Sequence, residues 1–239
     1  MMSLSASAFR WLPVAAAAAS LAIIGLAVVG LAGIGNQAGD HAMGDKYVEL
    51  LQAVRSPALH RVEMFFDVAG WLTSALVIVL LGAAVSPWAP GRAAVIAICG
   101  VGQLVGAQGG FERWIGISDL AAAYSSAAVD QQPLIAQSFI TLLDTIRSHF
   151  HEGQLLQAVG FLLASWALIH VPGFPRWLAL VVGLPGVTST LLWLGNSILI
   201  DGVPFFPYTL AHVLIFVLGA NVALAVTLFR QPQPARSGA

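Results

Sequence analysis

Six times along these 239 residues an apolar run recurs, and crossing the roughly 30 Å hydrocarbon core of a bilayer takes about 20 such residues in an α-helix. The runs are residues 11–34, 62–85, 93–108, 155–171, 177–200 and 205–229, the third being short and rich in glycine. A chain of this pattern must use helices, because in lipid every backbone N–H and C=O has to be satisfied within its own segment. Composition points the same way: 58% of the residues are hydrophobic and only 9% charged, against about a quarter charged in soluble domains. The expected fold is all-α, a polytopic bundle of six membrane helices with short amphipathic helices in its two long outer loops. Residues 1–230 form the single transmembrane domain and 231–239 a disordered cytoplasmic tail.

Charge placement predicts the orientation. Arg10, Arg92, Arg176, Arg230 and Arg236 fall on one side with no acidic residue. Lys46, Arg55, Arg61, Arg113 and Arg147 fall on the other, together with all eleven carboxylates. Lys and Arg split evenly, so the short arginine-bearing turns decide, and they mark the cytoplasm. Both termini are therefore expected inside, in a plasma (inner) membrane. A cleaved signal peptide is the alternative for the first run, since Arg10 precedes it. Its length of about 24 residues exceeds the 7–15 of a signal core, which favours a retained helix. The net charge of −1 offers no basic surface for nucleic acid. The lone Cys99 excludes an internal disulfide and a CxxC zinc site.

The loops carry structure of their own. Residues 45–55, DKYVELLQAVR, place Tyr47, Val48, Leu51 and Val54 at helical spacing, which predicts an amphipathic helix at the interface capping the bundle. In the second outer loop Ser118 precedes one helical run through Val129, and Pro133 starts another that continues into the fourth span with a bend at Gly153. The inner turns SPWAPGR and HVPGFPRW hold the Pro and Gly that stop helices. Within the spans, Gly102, Gly106 and Gly110 recur every four residues and clear one helix face for a close neighbour, either inside the bundle or in an oligomer. Gly183, Pro185 and Gly186 predict a kink in the fifth span.

Ionisable groups at membrane depth are costly unless they face a partner or a cavity, so each marks a candidate site. HRVEMFFD puts His60, Glu63 and Asp67 on one helix face. Gln103, Gln108 and Glu112 rise to the same outer level on the third span, His149 and Glu152 open the fourth, Asn196 and Asp201 close the fifth, and Tyr208 and His212 share a face on the sixth. This predicts an outward-facing polar cavity fed by five helices. Acid–base catalysis on a lipid or isoprenoid would use Glu63, Asp67, Glu112 and His212, with His60, Gln108, Asn196, Tyr208, Trp71 and Trp193 as substrate-binding residues. Other readings of the same residues stay open: ion pairs that merely orient helix ends, a small-molecule transporter or ligand-binding protein gated at the fifth-span break, or a structural subunit of a membrane complex. The pairs His60/Glu63 and His149/Glu152 repeat His-x-x-Glu and could hold a transition metal with His212 as a further ligand, though so common a spacing assigns none, and the cofactor is left open. The expected partners are the bilayer and a lipophilic small molecule.

The order of spans, the opening FFDVAGWL of the second, and the run HEGQLLQAVGFLLASWALIHVPGFPRWLALVVGLPG resemble an uncharacterised family of small bacterial six-helix integral membrane proteins, a domain of unknown function. The resemblance implies a fold and supplies no catalytic residue.

Overall fold

The computed structural model describes the backbone of residues 2–36, 48–198 and 211–230, with side chains for 10–29, 49–195 and 211–229. Its elements are α1 (Met2–Asn36), α2 (Val48–Arg55), α3 (Pro57–Val85), α4 (Pro90–Gly102), α5 (Leu104–Ser126), α6 (Gln132–Leu168), α7 (Arg176–Ile198), a π-helical segment (His212–Val217) and the α8 (Leu218–Arg230) that continues it. Among the described residues there is no strand. Proline sits in the first turn of α3, α4 and α6, where a missing N–H costs nothing.

Five stretches are long and apolar enough to cross a membrane: Arg10–Val29, Pro57–Val85, Pro90–Ser126, Arg176–Gly195 and His212–Phe229. The expected fourth span, the C-terminal half of α6, is not among them. Its polar residues Gln154, Gln157 and Ser165 dilute the apolar run, and all three are buried against neighbouring helices. The third span is longer than expected. α4 and α5 follow each other across Gln103, and α5 continues to Ser126, absorbing most of the run expected as a separate loop helix from Ser118 to Val129. The second outer loop is thus the upper half of an α5/α6 hairpin and holds no short helices of its own. α6 passes through Gly153 without interruption. That glycine serves close approach: a Cβ there would stand 3.0 Å from the Gly106 Cα. Likewise α7 runs through Pro185, and a Cβ on Gly186 would meet the α6 backbone at Ala158 O, 2.9 Å away.

Two cores result. The larger one joins Leu12, Ala16 and Ala19 of α1 to Ile78 and Leu81 of α3, Phe161 and Leu168 of α6, Leu178 and Val182 of α7, and Leu224 of α8. The smaller packs Leu50 and Ala53 of α2 on Ile117 and Ala121 of α5 and Phe139 of α6. The apolar face of α2 is therefore spent on the hairpin, where an interfacial helix would have turned it to lipid. The Gly102, Gly106 and Gly110 face is filled within the chain: added Cβ atoms would run into Leu156, the Trp71 ring and Val68 respectively.

Candidate functional site

Depth can be counted along the helices at about 1.5 Å per residue. Ser74, Gln103, Gln157 and Ser189 each lie about 17–20 Å along their helices from the ends at the Arg92 and Arg176 turns. Asp67, Arg113 and His149 lie about 10–15 Å further from those turns on α3, α5 and α6. The polar side chains expected at one level thus occupy two.

The outer level is an ion-pair cluster under α2. Arg113 Nε donates to Glu49 Oε1 at 2.6 Å and Nη1 to Asp67 Oδ2 at 3.1 Å. Gln52 Nε2 donates to Glu63 Oε2 at 3.1 Å. The helical face carrying His60, Glu63 and Asp67 is thereby covered by α2 and α5. His60 is 1% exposed, and neither of its ring nitrogens has a hydrogen-bond partner. Beside Arg113 on α5, Glu112 Oε1 accepts from Gln108 Nε2 at 2.9 Å. Its Oε2 stands 2.9 Å from His149 Nδ1, within ion-pair distance but off the line of a hydrogen bond. A Cβ on Gly109 would touch His149 Cβ at 3.0 Å, so the glycine lets the imidazole lie against α5.

Trp71 closes the floor of this level. Its ring stacks on Phe150 with centroids 5.5 Å apart and planes 7° from parallel, over the notch left by Gly106 and Gly153. Trp193 sits edge-on to His151 at 5.3 Å, on the α6/α7 side. Beside Glu112 an open, largely apolar groove of about 570 Å³ runs between α3, α5 and α6, lined by Leu72, Leu104, Ala107, Phe111, Ile115 and Leu142, with Gln108 and Glu112 as its polar side chains.

The central level is a hydrogen-bonded chain across the bundle. Gln103 Nε2 and Gln157 Nε2 both donate to Ser74 Oγ, at 3.2 and 3.4 Å. Ser189 Oγ lies 3.5 Å from Gln157 Oε1 and 3.2 Å from His212 Nε2. Thr188 Oγ1 lies 2.6 Å from His212 Nδ1. In hydrocarbon no water competes for these groups, and helices associate partly through such bonds.

Of the residues singled out by sequence, Glu63, Asp67 and His60 come together under α2, Glu112 and Gln108 stand at the groove, and His212 belongs to the central chain. Gln103, expected at the outer level, is at the centre and fully buried. The side chain of Asn196, together with Asp201 and Tyr208, lies outside the described residues. Ser74, Gln157, Thr188 and Ser189 were not singled out; the run TST and the lone Gln of LLQAVGF inside apolar spans were the available signal. Arg113 organises the outer cluster; sequence offers it, with Arg61, as an arginine whose pairing with an acid would orient helix ends, and the structure pairs it with Glu49 and Asp67. Among the described residues no group of three or more His, Cys, Asp or Glu side chains could hold a metal ion, so the two His-x-x-Glu pairs build no such centre. Comparison with protein-family models, with curated proteins and with solved structures gives no match for this chain.

Proposed function

We propose that this chain is an integral plasma-membrane protein of six spans, with both termini cytoplasmic, that takes a lipophilic molecule from the outer leaflet and performs acid–base chemistry on it. The sixth span is the lower half of α6, whose glutamines need no apolar disguise because α3, α4 and α7 surround them. The short turns that carry Arg92 and Arg176 support the orientation.

The groove beside Glu112 carries the proposal. Its α5 wall, from Leu104 to Gly116, is about 18 Å long, close to the thickness of one leaflet. An alkyl or isoprenoid tail lying along it meets apolar side chains except at Gln108 and Glu112, about 6 and 12 Å from the Leu104 end. There Glu112, with His149 behind it at 2.9 Å, meets the polar end. A carboxylate beside an imidazole can hold a proton on either group and deliver it to a substrate atom, a contribution of about 10²–10⁴-fold in rate.

The test is incubation of protein in nanodiscs with lipid and isoprenoid extracts, with products read by mass spectrometry. Wild-type protein is expected to retain a lipophilic molecule and convert it, while Glu112→Gln and His149→Asn bind it and convert it about 10²–10⁴-fold more slowly. Undiminished turnover in Glu112→Gln overturns the assignment of the pair. Solute flux into proteoliposomes without chemical change, or copurification with another subunit in fixed ratio and no bound lipid, replaces the enzyme reading altogether.

A further inference from the structure

Seven tryptophans occur in the chain, and the four that stand exposed among the described residues all lie at one end of the bundle. Trp11 follows Arg10 on α1, Trp88 is in the turn before α4, Trp166 is in the last turn of α6, and Trp177 is in the first turn of α7. Exposed indole rings at a common level mark the headgroup boundary of a bilayer. Arg10, Arg92 and Arg176 stand at the same level, and no described carboxylate shares it.

One of these arginines is held in place. Arg92 is half-buried, and its guanidinium carbon lies 3.8 Å from the centroid of the Trp166 ring. Among the described residues it has neither a hydrogen bond nor an ion pair, whereas Arg113 and Arg147 each meet an acid. A guanidinium laid on a ring face keeps its N–H groups for other acceptors, because they radiate in its own plane. One turn beyond Trp166, His170 shares that face of α6, and its Nδ1 lies 2.8 Å from Trp166 O. A carbonyl can only accept, so Nδ1 carries the hydrogen, and in the neutral ring Nε2 is left as an acceptor. Charged donors over Trp166 and an acceptor about 6 Å further along α6 thus face the same boundary layer.

We propose that Arg92, Trp166 and His170 bind the headgroup of an anionic phospholipid whose phosphodiester carries a hydroxylated alcohol, as in phosphatidylglycerol. Arg92 donates to the phosphate oxygens, a head-alcohol hydroxyl donates to His170 Nε2, and Trp166 keeps the guanidinium from swinging into water. Charge complementarity selects this occupant: an ethanolamine head would bring an ammonium to an end that has three arginines and no described acid. Exposed Val95 and Ile98 of α4 and Val159 and Leu162 of α6 continue the surface from Arg92 and Trp166 toward the middle of the bundle, where acyl chains lie against them. The site rests on the reading of the chain as membrane-spanning and is separate from the groove beside Glu112.

The test is titration of full-length protein in detergent with single lipids, the first bound lipid being read by native mass spectrometry. Phosphatidylglycerol is expected to bind about tenfold more tightly than phosphatidylethanolamine with the same chains. Arg92→Gln weakens the anionic lipid about tenfold and Trp166→Leu about threefold, while Arg176→Gln changes it by less than about twofold. His170→Phe weakens phosphatidylglycerol about fivefold and leaves phosphatidic acid, which lacks the head alcohol, unchanged; a histidine that only shaped the end of α6 would move both alike. Soluble glycerol phosphate is expected not to displace the lipid. Equal affinity for phosphatidylglycerol and phosphatidylethanolamine, Arg92→Gln no weaker than Arg176→Gln, a His170→Phe loss shared by phosphatidic acid, or displacement by glycerol phosphate at matched concentration overturns the proposal.

Discussion

At the residue scale, Arg113 is the side chain on which the outer level depends. Glu49 and Asp67 reach it from two different helices, and no other cation is hydrogen-bonded to either of them among the described contacts. Removing one member of a buried pair is costlier than removing the pair, because the partner's charge stays behind. Arg113→Gln is therefore expected to destabilise the protein by about 3 kcal/mol, measured by thermal denaturation in detergent. The triple replacement Glu49→Gln, Asp67→Asn, Arg113→Gln should recover most of that loss. If the triple variant is no more stable than the single one, the ion pairs are not what holds this level together. The residue scale also shows how far sequence could go. The offsets of His60, Glu63 and Asp67 put them on one face correctly. That Arg113 could pair with an acid was visible, but which carboxylates it would meet was not, because the two segments are 46 residues apart at the Arg113–Asp67 contact.

At the element scale, α2 has eight residues, well below the 12–15 at which a helix becomes even marginally stable alone in water. It exists because Leu50 and Ala53 are buried against the α5/α6 hairpin and Glu49 and Gln52 reach α5 and α3. Leu50→Asp puts a charge into that contact and removes its largest apolar anchor. Hydrogen exchange is expected to show the amides of Val48–Arg55 losing protection while those of α3 and α6 keep theirs. Loss of protection through the whole bundle would instead make α2 part of the main folding unit. A helix at this place was legible in sequence, but neither its buried face nor the surface that receives it was: Leu50 and Ala53 are buried, and of the expected face Val54 packs partly against the hairpin. A hydrophobic stripe states that something apolar covers it, and lipid and a neighbouring hairpin satisfy that equally.

At the scale of the whole molecule, the described carboxylates lie toward one end of the bundle and the turns with Arg92 and Arg176 at the other. The hairpin tip near Ser126 should face outward and the turn at Gly91 inward. With Cys99 buried, cysteines introduced as Ser126→Cys and Gly91→Cys can be read separately. A membrane-impermeant maleimide is expected to label the first in intact cells and the second only after permeabilisation; the opposite order inverts the topology. The sequence by itself determined that this chain is helical with runs apolar enough to cross a membrane, where its Pro- and Gly-bearing turns lie, and that His60, Glu63 and Asp67 share a helix face. Those properties are local: they follow from apolar run length, from Pro and Gly at turns, and from a period of 3.6 residues. Only the tertiary structure decided that the polar groups divide into two levels, that Gln103 is central, that α6 keeps its glutamines hidden, and that Ser189 faces His212. Depth and pairing depend on how far each helix extends and how it is rotated against its neighbours, and in lipid that rotation is set by close contact at glycines and by hydrogen bonds between segments distant in the chain.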